Sequence, residues 1–510
     1  MLRNRFLSVY ALAFSAGVAG MLCAYAVLGA ISFAWLSAAC AAASFSTFFL
    51  RKRRPALCRS ILLVALGFLC GGARLMLANT GSEYEPFIGR EDTVVGSVVE
   101  SASYDGGSVR VIRIQRSHIA IPKGTLVQVD ADTALPVHVG DSVTAALSDI
   151  SLPDAYQRAD GVSLAADGRI LSVTEGTGWG SRVLSAVRQA CERLYTPYGQ
   201  EGMAQALLIR ERSALRASTM RSYRNAGLSH LLAISGLHLA IFMDLFRRII
   251  RRMGMPRWMA ISFLLLILLG FCALTAWTPS VTRAGIMLGM LMAGEVLMYR
   301  VDRLTTLFAA LLLLLLLEPY ALLSVSLQLS FLACLGLMLL QGHITEIRYR
   351  IRRKYYYGRK SRFYSLLAFA AGAMLTYCSV LLFTFPITTF SFGTVAYLSP
   401  LTNLLVLPFF VPLLLLLLLS VIAYFLLPPL APLLALLPGL ALRLLDNALA
   451  ILYHANIGSV NADPRWMVLP VLLALCAILS ALLSKKHTFR LYWSFSAAFA
   501  VTLAVGLVLG

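Results

Sequence analysis

The residues with the most chemistry to offer sit inside an apolar run, Ser229-His230-Leu231-Leu232-Ala233-Ile234-Ser235-Gly236-Leu237-His238-Leu239. Polar groups are costly in such a setting, so each is a candidate for function. Read as one helix, Ser235 and His238 are three residues apart and share a face, as a serine activated by an imidazole requires. His230 and His238 are eight apart, about 80° around a helix, which is not the four-residue spacing of a zinc-binding helix. Four uses stay open: nucleophile and base, metal ligands, polar contacts between packed helices, or pore lining and gating, with Gly236 permitting a break. A Ser235–His238 hydrolase lacks an obvious embedded acid. The nine cysteines lie mostly in apolar runs and form no Cys/His cluster of metal spacing. No catalytic residue, metal or cofactor is therefore expected.

Three more polar places interrupt apolar stretches. In Thr278-Pro279-Ser280-Val281-Thr282-Arg283, Thr278 can cap a helix and Pro279 suits its first turn. Arg283 then lies near a helix N-terminus, where a cation opposes the dipole. Dipole and guanidinium together suit an anion such as phosphate; the alternative is an arginine snorkelling to lipid headgroups. Ser324, Ser326, Gln328 and Ser330 alternate, and either bond a neighbouring helix or line a wet path. Between Phe385 and Asn403, Pro386, Gly393 and Pro400 break the helical pattern. Irregular backbone at membrane depth is tolerated where it is buried in protein or lines a watery cavity, so a broken or re-entrant segment is expected there.

The elements that must hold these residues are mostly membrane spans. Hydrophobic residues make up 59% of the 510 and charged ones only 13%, against about 25% charged in a soluble domain. Lys+Arg number 44 against 24 Asp+Glu, a net +20. That excess fits either the positive-inside rule or attraction to a polyanion. Residues 6–50 carry no charge and fit two spans, with a third at 60–79. Further spans are expected at 228–246, 258–277, 281–299, 304–317, 321–341, 366–385, 401–426, 430–449, 466–483 and 491–509. Crossing by crossing, the basic clusters then fall on the cytoplasmic side, as does the N-terminus. They include the loop from Arg348 to Arg362, whose eight Lys/Arg surround Tyr355, Tyr356 and Tyr357.

Two stretches differ. Residues 81–178 are polar, punctuated by glycine and rich in Val and Thr. Runs at Thr93–Val99, Val109–Gln115, Thr125–Val129 and Asp141–Leu147 read as strands, and Asp105-Gly106-Gly107 as a hairpin turn. About five short strands suggest a small barrel, an OB-fold among the options, on the outer face. Residues 182–224 hold eight arginines, among them Arg210, Arg212, Arg216, Arg221 and Arg224, and no lysine. Apolar residues between them at helical spacing predict amphipathic interfacial helices. Lying outside, these arginines escape the positive-inside rule; they bind either headgroups or the phosphates of a ligand, for which the planar guanidinium fork is suited.

In this order, the four polar segments resemble the competence domain of the ComEC family. His230–His238 is nearly the family's most recognisable motif. Thr278–Arg283 resembles its Pro-Ser-x-x-Arg element, Glu318-Pro319 with Ser326–Phe331 its Asn-Pro…Ser-Phe-Gln-Leu-Ser-Phe stretch, and Leu398–Pro408 its Asn-Leu-Leu-x-x-Pro element. The likeness covers roughly 200–480. It implies an inner-membrane channel passing single-stranded DNA during natural transformation, with 81–178 as an extracytoplasmic OB-like domain. It also implies a separate DNA receptor, nuclease, and cytoplasmic ATPase or single-strand-binding protein as partners, beside membrane lipid. Many relatives carry a metallo-β-lactamase-like C-terminal domain; this sequence runs to a hydrophobic span at Gly510, so a short form without it is expected. Where relatives show Gly-Asp-Arg before the conserved helix, this chain has Arg210-Glu211-Arg212.

The expectation is thus a mainly α, polytopic transmembrane bundle with a small extracytoplasmic β-barrel. Its parts are three helices at 1–80, the barrel at 81–178, Arg-rich interfacial helices at 179–227 and a channel domain at 228–510. His230, Ser235, Gly236, His238, Gln328, Ser330 and Asn403 are the pore or gating candidates. Arg283, Arg210, Arg212, Arg216, Arg221 and Arg224 are candidates for DNA phosphate. Arg110, Arg113, Arg116 and Lys123 are candidates on the barrel. Rival readings are a small-solute transporter, for which only Asp244, Glu295 and Asp446 are embedded acids, and a membrane scaffold for other uptake proteins.

Overall fold

A computed structural model of the chain describes residues 70–71, 73, 84–104, 107–131, 137–154, 157–158, 161–176, 178–209, 211, 214–232, 236–274, 279–296, 303–356, 362–392 and 394–461. The spans expected at 6–50, 466–483 and 491–509, and nearly all of 60–79, lie outside these residues.

Strands come first. β1 (Asp92–Tyr104), β2 (Gly107–Ser117), β3 (Leu126–Asp130), β4 (Ser142–Ser151) and β5 (Leu164–Thr174) close a barrel in the order β1-β2-β3-β5-β4. β3 and β5 run parallel, while the other neighbours are antiparallel. Alternation drives the closure, since every second side chain of a strand points to one face. Val94, Ile112, Ile114, Val127, Val129, Val143 and Leu164 all point inward at 1% exposure or less. The four runs read as strands lie on β1 to β4, and Tyr104 pairs with Gly107 where the hairpin turn is expected. β5 has a weaker signature because small residues occupy inward positions. At Gly168 a Cβ would sit 2.6 Å from the Ala146 carbonyl oxygen and 3.0 Å from Val129 Cγ1. Asp92 pins one end of the barrel, accepting from Ser117 Oγ at 2.6 Å and from the His118 amide at 3.0 Å.

Helices follow. α1 (Trp179–Tyr195), α2 (Glu201–Ile209) and α3 (Ala217–Asn225) are the Arg-rich stretch. α4 (Gly236–Arg252), α5 (Arg257–Leu274), α6 (Pro279–Val296), α7 (Arg303–Leu317), α8 (Val325–Tyr356), α9 (Arg362–Phe392), α10 (Ser399–Leu426) and α11 (Ala431–His454) complete the order. Among the described residues, three apolar stretches are long enough to cross a membrane: Val325–Gly342 in α8, Ser399–Leu426, and Pro428–His454. Shorter apolar helices occupy Trp258–Cys272, Val281–Met290, Arg303–Leu317 and Gly372–Phe385. A two-stranded sheet, β6 (Thr394–Val395) with β7 (Val460–Asn461), joins the chain after α9 to the chain after α11.

Two expectations need correction. The span read as continuous from Leu228 to Phe246 is broken: Ser229–Leu231 forms a 3-10 turn and α4 begins only at Gly236. His230 and His238 therefore stand on different elements, and the angle between them on one helix has no meaning. Pro386 does not end its helix either, because α9 continues to Phe392; the non-helical stretch described before α10 is short, from 394 to 398, and begins with β6.

The described chain falls into two compact units. One contains the barrel and Met243–Leu327; the other contains Val183–Phe242 and the chain from Gln328 onward. In the first, α5 and α6 pack closely, a Cβ at Gly285 coming within 2.9 Å of Cys272 Sγ. Arg158, in the loop before β5, reaches Tyr320 after α7: its Nη1 donates to the hydroxyl at 3.3 Å and the guanidinium lies 5.4 Å from the ring centroid. In the second unit, α10 and α11 form an antiparallel hairpin. Leu405, Phe409, Leu433, Leu437 and Leu444 project from it, each more than half exposed, as expected of a helix surface whose solvent is lipid.

Candidate functional site

The motif segment is held by the way α3 ends. Gly227 has φ +71°, a left-handed conformation that side chains with a Cβ disfavour. Around it the Leu228 amide donates to the Tyr223 carbonyl at 2.8 Å and the Gly227 amide to the Arg224 carbonyl at 3.0 Å. This is the Schellman termination, and its usual apolar contact partners, here Tyr223 and Leu228, are both buried.

A helix end leaves carbonyls without partners, and the start of α10 supplies donors to them. Thr402 Oγ1 donates to the Ala226 carbonyl at 2.7 Å. The Gly227 carbonyl accepts from Asn403 Nδ2 at 3.5 Å and from the His230 ring. Asn403, 1% exposed, also donates from Nδ2 to the Ser399 carbonyl at 2.8 Å and to Ser399 Oγ at 3.2 Å. Its Oδ1 is buried without a hydrogen-bond partner among the described residues. Ser399 Oγ is further bonded to the Tyr377 hydroxyl on α9. Next along the chain, Asn225 Nδ2 donates to the Ile457 carbonyl at 2.8 Å and Asn225 Oδ1 accepts from Ser459 Oγ at 2.6 Å. The Gly458 amide donates to the Tyr397 hydroxyl at 2.9 Å.

These contacts form a clasp of α3, α9, α10 and the chain after α11. Its hydroxyls and amide are spent mainly on backbone carbonyls. That chemistry fixes where the chain enters the 3-10 turn at Ser229 and buries Leu231 and Leu232. Spacing within the motif gives no sign of Tyr377, Ser399, Thr402 or Gly227 as partners. The one local signal is a glycine placed just past a helical stretch, the usual C′ position.

The sequence candidates scatter across the fold. Asn403 belongs to the clasp and His230 touches it. Gly236 opens α4, and His238 lies on α4 two residues later; the side chain of His238 and the whole of Ser235 lie outside the described residues. Gln328 and Ser330 are half-buried on α8. Arg283 is 5% exposed on α6 and its Nη2 donates to the Ser326 carbonyl at 2.7 Å and Ser326 Oγ at 3.2 Å, so it ties α6 to the first turn of α8. Arg216, Arg221 and Arg224 are exposed on or beside α3; Arg210 and Arg212 lie outside the described residues. On the barrel, Arg116 and Lys123 are exposed and Arg113 is half-buried. Arg110 pairs with Ser101 and Val129 on β2, its side chain outside the described residues. The barrel candidates and Arg283 belong to one compact unit and the clasp to the other.

Comparison with known proteins gives these residues a setting. Residues 207–486, more than half of the chain, match the family model described as Competence protein. That range contains the whole clasp. ComE operon protein 3 of Bacillus subtilis (strain 168) is 35% identical over 152 residues, which is 30% of this chain and 20% of that protein. The match thus spans a fifth of that relative's length. No solved structure matches. On the extent of the family match, the chain belongs to the competence-protein family.

Proposed function

We propose that the chain takes part in DNA uptake by admitting single-stranded DNA across the cytoplasmic membrane. Membership of the competence family across 207–486 is the observation that carries this reading. Three features support it. Spanning-length apolar helices lie in the matched region. The closed barrel has its strands in the order β1-β2-β3-β5-β4 with β3 and β5 parallel, the arrangement of an OB-fold, whose β2–β3 face is the usual site for oligonucleotides. On that face lie Arg113 and Arg116 of β2 and Gln128 of β3, with Lys123 in the turn between the strands. Charge also fits, since a path for a polyanion needs cations that hold it weakly enough for release.

In this reading the barrel faces outward and receives the strand, the polar helix faces guide it, and the basic Arg348–Arg362 segment, most of it the end of α8, meets it inside. A receptor, a nuclease and an ATPase or single-strand-binding protein act beside the channel. The test is uptake of labelled duplex DNA in a deletion strain, scored as cytosolic, nuclease-protected label. Complementation uses the native chain, Arg283→Ala and His238→Ala. Loss of internal label with surface binding intact supports the channel; unchanged internal label on deletion overturns it.

A further inference from the structure

A series of contacts runs along the α10–α11 hairpin, and their order matters. At the turn end, Arg193 Nη1 donates to the Tyr424 hydroxyl at 2.8 Å, with the guanidinium 6.0 Å from that ring's centroid. One turn further along, Tyr195 Oη and Ser420 Oγ are bonded at 2.7 Å. Tyr198 then lies so close to Gly439 that a Cβ there would meet its Cδ2 at 2.5 Å. Midway, Met203 and Leu207 of α2 line an apolar cavity of about 180 Å³ with Phe409, Phe410 and Leu442. Tyr223 lines the same cavity, and its hydroxyl donates to Asp446 Oδ1 at 2.9 Å. At the open end stand the Ala226–Thr402 and Asn225–Ile457 bonds.

From Arg193 to Gly227 the chain therefore passes from the turn end of the hairpin to its open end, from 424 to 402 on α10 and from 439 to 457 on α11, folding back once where Ala214 packs against Gly202. From Ser420 to Thr402 is 18 residues of helix, a rise of about 27 Å, nearly the ~30 Å of a hydrocarbon core. α10 has a mean hydropathy of 2.9 and the α11 stretch 1.6, so turn and open end belong on opposite sides of a bilayer. Between them, α2 is covered from Gly202 through Leu207. Such shelter is what broken backbone needs at membrane depth. Of the polar residues in the stretch, Gln200, Gln205, Glu211 and Ser222 are buried, while Thr196, Arg216, Arg221 and Arg224 are exposed and cannot face hydrocarbon.

We infer that residues 195–226 cross the membrane beside the α10–α11 hairpin as a broken, protein-sheltered element, placing Arg193 and Arg224 at opposite faces. Helices lying along one surface, as the sequence alone predicts for this stretch, cannot reach both ends of one spanning hairpin. The exposed arginines then turn towards water or protein within the membrane rather than lipid.

The crossing does not depend on DNA conduction and is tested without it. Thr196→Cys and Ser229→Cys are small changes at exposed positions at the two ends of the crossing. Each variant of the full chain is labelled in cells with a membrane-impermeant maleimide, before and after permeabilisation, against the unsubstituted chain. We expect one position to label in intact cells and the other only after permeabilisation. Labelling of both in intact cells, or of both only after permeabilisation, overturns the crossing. Arg193→Cys and Arg224→Cys repeat the measurement if either variant fails to accumulate.

Discussion

Gly227→Ala is the sharpest probe of the clasp. The substitution acts twice. First, an L-residue at φ +71° costs about 1–2 kcal/mol. Second, its Cβ would lie 2.3 Å from Ser399 Oγ, 2.5 Å from Ser399 Cβ and 3.1 Å from Ala396 Cβ. Contacts under 3 Å with a buried helix start have no flexible end to yield, and overpacking of this kind costs about 1–3 kcal/mol. The sum, about 2–5 kcal/mol, is a large part of a stability of about 5–15 kcal/mol. Heating the detergent-purified chain and following its unfolding midpoint reads the effect. Ser399→Gly on the Gly227→Ala background should return the packing part and leave the backbone part. Ser399→Ala should return little, because its Cβ remains. A Gly227→Ala chain that melts with the native one, or a double variant with no coupling between the two sites, refutes the close approach of α3 to α10.

Thr402→Val removes the donor to the Ala226 carbonyl at nearly constant volume; leaving that buried acceptor unpaired should cost about 1–3 kcal/mol, read in the same melting experiment. Burial, and then the neighbouring Glu192 carboxylate, push the Cys191 thiol up to about 12. Its thiolate is scarce at pH 8, so alkylation of the folded chain should be roughly a thousand-fold slower than for an ordinary thiol near 8.5, rising with pH towards 12. Peptide mapping after timed alkylation decides this, and ordinary speed in the folded chain counts against the burial. Arg113→Ala, Arg116→Ala and Lys123→Ala combined should weaken binding of single-stranded DNA and lower its salt slope by about 0.7 for each phosphate no longer neutralised. Fluorescence anisotropy across a salt series checks that, and an unchanged slope removes this face from the DNA path.

Local pattern makes much of the fold legible. Alternation marks β1 to β4, and long apolar runs mark α5, α6, α7, α10 and α11 to within about five residues, while α8 and α9 run on past theirs to Tyr356 and Phe392. What escapes is set by partners distant in the chain. Hydropathy cannot show the break before Gly236, because Leu231, Leu232, Ala233 and Ile234 are as apolar as a helix interior. Pro386 has the look of a terminator, yet α9 runs through it among packed neighbours such as Phe383 and Phe385. Asn403 is legible as a polar residue in an apolar run, but its use is not. That use depends on the end of α3, 176 residues earlier, and no spacing rule reaches so far. Arg283 likewise reads as an anion site from its helix end alone, while its contact with Ser326 depends on how α6 and α8 meet.

The distances in sequence between the partners along the α10–α11 hairpin bear on how the chain is assembled. Arg193, Tyr195, Tyr223 and Ala226 find their partners 231, 225, 223 and 176 residues downstream. At about 5–20 residues per second, synthesis reaches the α10–α11 hairpin only about 10–45 seconds after the Arg-rich stretch has emerged. During that interval the stretch is too polar to stay among lipid chains and has no hairpin to rest on. It must be docked late, once α10 and α11 have been inserted, in the manner of a long-range contact that closes after local structure is complete. Chains truncated before Ser399 should therefore leave residues 195–226 open to protease, while chains that include His454 protect them.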